Sequence, residues 1–226
     1  MPVILAVETS TQACSCAVIR DGKVYESFEL IPRQHADKLL PMVASLLKDL
    51  DLVFTDLHAV AYGQGPGSFT GLRIASGVTQ GIAYGAELPV IPVSTLASQA
   101  HQVESDEESV IIFSSLDARI DEVYWGFYRL NAGKLSLMGE EGLCKPEALP
   151  ALPEEIPATI TGVGSGLEYV DRMPDIYRES MSIRHLEIYP RASAVAELAE
   201  QYFQQGIFQS AEDVNPVYLR DKVTHT

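Results

Sequence analysis

The residues from Gly63 to Gly71, GQGPGSFTG, are the first in this 226-residue chain whose types and spacing could do chemistry. A glycine loop that leads into a helix exposes main-chain N–H groups. Ser68 or Thr70 could cap that helix while its first amides, with Arg73 a turn further on, accept an anion. The familiar phosphate loops do not fit. A P-loop needs Gly-Lys-Ser/Thr, and no lysine stands here. Gly65, Gly67 and Thr70 break the G-x-G-x-x-G dinucleotide pattern, as does GVGSG at 162–166. The plainer reading is a tight turn whose backbone is fixed by Pro66.

Two carboxylates come next. Glu8 and Asp117 each close an apolar run, where they could hold a metal or an attacking water, or cap a turn. Other catalytic patterns are missing. Five histidines form no HxxxH or HExxH pair, and His35 with Asp37 reads as a helix-start pair. Ser68 is not a hydrolase elbow, because Thr70 stands where that motif needs glycine. Cys144 has no base beside it. Cys14 and Cys16, two apart on one strand, argue against a disulfide framework and for a reducing compartment.

These residues need elements to hold them. Apolar runs at 3–8, 14–20 and 24–31 predict three strands, the last two joined by a hairpin at Asp21-Gly22. Leu39, Leu40, Val43, Leu46, Leu47 and Leu50 recur at helical spacing over 36–50, with Pro41 as a late start or a kink. A strand at 57–63, a helix at 70–84, a strand at 89–93 and a helix at 94–103 follow. The opening order then returns: a strand at 109–117, another at 122–130, and a turn at Asn131-Ala132-Gly133 into a third. Residues 145–158 hold four prolines and predict a linker. Beyond it lie strand, glycine loop and helix over 159–170, a helix at 192–205 ended by Gly206, and a tail from Asn215 draped on the surface. The pattern is a duplicated α/β domain with a shortened second copy, residues 1–103 and 104–226, the tail packing back on the first lobe.

Bulk properties narrow the function. Sixteen Lys and Arg against thirty-one Asp and Glu give a net charge of −15, which repels a phosphate backbone, so the chain alone should bind RNA weakly. The first ten residues have neither a basic region nor a long apolar run, which predicts no signal peptide, no membrane span and a cytoplasmic protein. One costly feature stands out. Gly77, Gly81 and Gly85 recur every four residues inside a helix, at about 1 kcal/mol each relative to alanine. Such a stripe permits close helix approach, either to the helix at 36–50 or to another subunit.

Five stretches then carry a resemblance: VETST, GQGPGSFTGLRIA, VSTLASQA, SLDAR and NPVYLR are similar to the bacterial TsaB (YeaZ) family over nearly the whole chain. The resemblance implies a two-lobe ASKHA fold, the RNase H-like architecture of actin and sugar kinases. It implies work in forming threonylcarbamoyladenosine, t6A, on tRNA, with the catalytic relative TsaD and the ATPase TsaE. The two metal-binding histidines of TsaD fall here on Thr95 and Gln99, and its later aspartate near Tyr189–Arg191. The chain is therefore expected to be a degenerate, non-catalytic paralogue with no cofactor of its own. ATP or ADP would bind only at a composite site shared with a partner, with Glu8, Ser68, Thr70 and Arg73 as candidate residues. The expected TsaD-binding and homodimer surface comprises Leu39, Val43, Leu46, Leu47, Leu50, Leu72, Ile74, Gly77, Val78 and Gly81, and tRNA would be met only through the complex. An ATP-using ASKHA enzyme and, further off, a metallopeptidase are the competing readings.

Overall fold

The computed structural model describes residues 1–105, 107–153 and 159–220. The chain divides into two compact units, Met1–Ser98 with Pro190–Val217, and Gln99–Tyr189 with the residues from Tyr218 on.

The first unit is built on a five-stranded sheet. Its strands are β1 (Ile4–Glu8), β2 (Ala13–Arg20), β3 (Lys23–Leu30), β4 (Ala59–Gly65) and β5 (Val90–Ser94), in the order β3-β2-β1-β4-β5. β1 is antiparallel to β2 and parallel to β4. Its five residues are all buried, which is why ILAVE reads as a continuous apolar run. Asp21 and Gly22 both take positive φ, 54° and 72°, the geometry of a two-residue hairpin turn that matches strand twist.

Helices cover both faces. α1 (His35–Asp49) and α2 (Phe69–Gly85) pack Leu39, Met42, Val43, Leu46, Leu47 and Ala75 against Leu5, Val7, Cys14, Cys16 and Val18. α1 runs unbroken through Pro41, which lies on the exposed side, where the carbonyl it leaves without a helical partner can bond water. α5 (Ala192–Gln204) covers β1 and β2 with the small side chains Ala192, Ala194, Ala196 and Ala199, and its first amide donates to Ser15 Oγ at 2.9 Å. Glu26 of β3 accepts from Ser193 N and from Arg191, fixing the start of α5. The chain thus returns to the first unit at Pro190, so the expected boundary between lobes at 103–104 does not divide the chain as its contacts do. A sheet buried on both faces needs this second cover.

The second unit repeats the sheet. β6 (Ser109–Arg119), β7 (Glu122–Asn131), β8 (Lys134–Cys144), β9 (Ile160–Val163) and β10 (Met181–His185) follow the order β8-β7-β6-β9-β10, the same topology strand for strand. β6 is antiparallel to β7 and parallel to β9, as β1 is to β2 and β4. The helical connections are reduced to 3-10 turns at Pro146–Ala148 and Ser165–Arg172 and one short helix, α4 (Asp175–Ser180). Between the units in sequence, α3 (Thr95–Ala100) is shorter than the expected helix at 94–103. Part of the proline-rich linker, 154–158, lies outside the described residues.

Candidate functional site

The glycine loop between β4 and α2 is a packing surface for other main chain. A side chain at Gly63 would meet Glu8 Oε2 at 1.8 Å, one at Gly67 the Ser10 carbonyl at 2.6 Å, and one at Gly71 the Thr9 carbonyl at 2.0 Å. Gly65, at φ 119°, admits the Val217 carbonyl of the tail at 2.5 Å from where its Cβ would stand. Hydrogen bonds close the same contacts: Thr9 Oγ1 donates to Gly71 O, Ser68 N to Ser10 O, and Val217 N to Gln64 O. Three stretches distant in sequence, ETS, GQGPGSFTG and NPV, therefore form one closed structure. Ser68 caps α2, accepting from Gly71 N at 3.4 Å, while Thr70 is exposed at the helix start.

The candidate anion residues are not gathered into a cradle. Glu8 is 1% exposed and faces Gly63 and Ser10, whereas Arg73 lies over the Phe69 ring with its guanidinium carbon 4.0 Å from the centroid. Burial pushes the Glu8 carboxyl above the usual carboxylate range, against the opposing pull of hydrogen bonds from Ser10 and Thr9. The Thr95 hydroxyl stands near this carboxyl without reaching hydrogen-bond geometry.

Gln99, the other position where a metal-binding histidine was sought, has both ends of its amide engaged. Nε2 donates to Ile188 O at 2.6 Å and Oε1 accepts from Ser114 Oγ at 2.8 Å. Arg191, in the stretch Tyr189–Arg191 to which the resemblance assigns the aspartate, pairs with Glu26 at 2.5 Å and stacks over Phe28. Among the described residues no three His, Cys, Asp or Glu side chains group closely enough to hold a metal ion.

The second carboxylate behaves differently. Asp117 accepts from Arg119 N at 2.8 Å and pairs with the Arg119 guanidinium at 2.9 Å, and its side chain is 14% exposed. Tyr169 OH also donates to it at 3.3 Å, and the charge on Asp117 is the main reason that phenol is pushed up. Next to it Arg119, Ile120 and Asp121 all take left-handed conformations, φ 64°, 55° and 59°. Arg220 holds this turn, donating to Ala118 O at 3.1 Å and pairing with Glu122.

The glycine stripe answers the question of which way it faces. A Cβ at Gly77, Gly81 or Gly85 would meet nothing within 4 Å. The stripe floors an apolar groove of about 490 Å³, walled by Leu40, Phe54, Val78 and Ile82. Half of the expected interface is elsewhere: Leu39, Val43, Leu46, Leu47 and Leu72 are buried in the core and offer no surface. Of the rest, Leu50 and Ile74 are half-buried and packed on the core, and Val78 lines the groove. Leu40, 50% exposed, and Phe54, 39% exposed, were not among the expected residues. The paired leucines held the signal for Leu40. Successive helical positions are 100° apart, so with Leu39, Val43, Leu46 and Leu47 on one face Leu40 falls off it. Phe54 sits in a 3-10 turn, Phe54–Asp56, that no periodicity marks.

Two copies of one RNase H-like sheet order define a two-lobe ASKHA-like protein. The family model for TsaD, described as tRNA N6-adenosine threonylcarbamoyltransferase, matches residues 29–226. Within that class the similarity is narrower. The tRNA threonylcarbamoyladenosine biosynthesis protein TsaB of Escherichia coli (strain K12) is 40% identical, over 97% of this chain and 95% of that protein. Its counterpart from Haemophilus influenzae is 34% identical over 98% and 94%. The solved structure of YeaZ from Pseudomonas aeruginosa superposes with a TM-score of 0.89 at 39% identity, covering 97% of this chain and all of that one. The chain belongs to the TsaB (YeaZ) family.

Proposed function

We propose that this chain is a non-catalytic scaffold subunit in t6A formation, binding and supporting the catalytic subunit TsaD together with the ATPase TsaE in the cytoplasm. The observation that carries this reading is the open glycine stripe. Two helix-interior glycines, Gly77 and Gly81, and Gly85 at the helix end have room for a side chain that nothing in the chain fills, yet they floor an apolar groove, and a helix from another subunit is what such a floor admits. The same groove would pair two copies of the chain when TsaD is absent. The lack of catalytic chemistry is supported by Gln99 and Arg191, whose side chains are committed to Ile188, Ser114 and Glu26. Nucleotide, if used, belongs to a composite site in the complex, and tRNA reaches the chain only there. No helix of the described residues is long and apolar enough to cross a membrane.

The test is co-expression with the TsaD of the same cell, followed by size-exclusion chromatography. Wild type is expected to co-elute with TsaD. Gly81→Leu should fill the groove and abolish association while its circular dichroism melt stays at or above wild-type temperature, because the space above Gly81 is empty. Gly81→Ala should raise the stability of the free chain by about 1 kcal/mol. A folded Gly81→Leu that still binds TsaD, or threonylcarbamoyl transfer by this chain alone, would overturn the reading.

A further inference from the structure

The Glu8 carboxyl is enclosed in the first unit, 1% exposed. Oε1 accepts from Ser10 N at 2.6 Å, while Oε2 lies against the Gly63 backbone and has no partner. Ser10 Oγ and Thr95 Oγ1, both buried, are also without partners, so three orphaned oxygens share one corner at the end of β1. An ionised carboxylate in such a place has the Ser10 amide and the two hydroxyls near it, but a buried charge is costly without a cation.

None is provided by the elements packed around it. β2 contributes Ser15, paired with Glu8 in register, and on its other face the Cys14 thiol, itself pushed up to about 11 by burial, with Glu29 and Glu8 adding to the shift. β4 contributes the bare backbone of Gly63, the start of α3 the hydroxyl of Thr95, and α5 a face of alanine, valine and leucine. No charge from any side, including Glu197 and Glu200 of α5, is among the influences that set the Glu8 proton affinity. Among the described residues no lysine, arginine or histidine pairs with it.

We propose that the Glu8 carboxyl, enclosed at the end of β1 against Gly63 and Ser10, acts as a proton-operated latch on the entry to α2. Protonated, it keeps its place against Gly63, and the proton on Oε2 can be donated to one of the two neighbouring hydroxyls, Ser10 or Thr95, each of which has its own O–H to give as well. In that state Thr9 grips Gly71 and Ser10 grips Ser68, so the first turn of α2 is fastened to β1. When Glu8 releases its proton to solvent, the charge is relieved by moving toward water, and the ETS turn must leave the glycine loop with it. The sign follows from linkage. The closed state binds the proton more tightly than the open one, so closure is complete below the ordinary carboxylate range. It weakens by about tenfold per pH unit as pH rises between the open-state and closed-state titration points.

The experiment is carbon-detected NMR of the full chain with 13C-labelled glutamate, the Glu8 carboxyl being assigned through its bonds to the Thr9 amide. Amide exchange of Ser10, Ser68 and Leu72 is followed alongside, as protection factors corrected for intrinsic pH dependence. The expected result is a Glu8 carboxyl that titrates at higher pH than the surface glutamates. Protection at these amides should fall with rising pH in the wild type and stay flat in Glu8→Gln. Glu8 titrating with the surface glutamates, or protection in the wild type independent of pH, overturns the proposal. The wild-type titration decides the question even if Glu8→Gln does not fold.

Discussion

The turn after β1 and the turn after β6 occupy corresponding places in two copies of one sheet, and each carries a carboxylate. They neutralise it by opposite means. Parallel pairing of β1 with β4 ends at Val7, and Glu8 is the next residue. Pairing of β6 with β9 ends at Ser114, and Asp117 stands three residues beyond. One step past the last pair, a side chain is still enclosed by neighbouring strands, and no arginine can reach it. Three steps past, it projects far enough to meet Arg119 and Tyr169. The distance a strand runs past its neighbour therefore decides whether an acid at its end is stabilised by a proton or by a cation.

The sharpest way to break this comparison is Gly63→Ala. A methyl group 1.8 Å from Glu8 Oε2 has no room, and the carboxyl beneath it is locked between strands, so a loss of about 3 kcal/mol or failure to fold is expected in urea unfolding. A loss below about 1 kcal/mol would show that the first turn can yield as the second does. Arg220→Ala is the counterpart in the second unit. It removes bonds to two carbonyls and the Glu122 pair from a side chain 18% exposed, and a loss of about 2 kcal/mol with faster proteolysis at Arg119 is expected. Asp117→Asn should cost least, about 0.5 kcal/mol, because its partner Arg119 is 86% exposed and solvent screens the pair. A larger loss would mean that the second turn, too, depends on its acid for closure.

Much of this was legible from residue order. The hairpins at Asp21-Gly22 and Ala132-Gly133 announced themselves, because only a few residue types tolerate positive φ, and the recurrence of strand, turn and strand exposed the duplication. What stayed hidden was decided by contacts remote in sequence. β10 is a five-residue edge strand, exposed at four positions, so MSIRH carries no alternation to read. α4 is six residues long, and its Tyr177 fills the second core beside Phe113 at 5.2 Å without any repeat to signal it. The glycine loop was seen at once as a turn, but its reason was not. Gly65, Gly67 and Gly71 answer to main chain, and Gly63 to the Glu8 side chain, all remote in sequence, and such pairings leave no local trace. Glu8 and Asp117 look alike as strand-ending acids, and only the register of the neighbouring strands tells them apart.

The return of α5 to the first unit has a consequence for how the protein is made. Its first 98 residues contain every strand of one sheet, yet the face of β1 and β2 that holds Ser15 and Ala17 has no cover until Ala192–Gln204 has been synthesised. At ribosomal speeds of about 5–20 residues per second, that interval lasts on the order of ten seconds. The strands of the second sheet, all within Gln99–Tyr189, are made before that cover is. During synthesis the nascent chain must keep a finished hydrophobic sheet in waiting, so the sheet made first waits for a helix made after the whole of the second sheet.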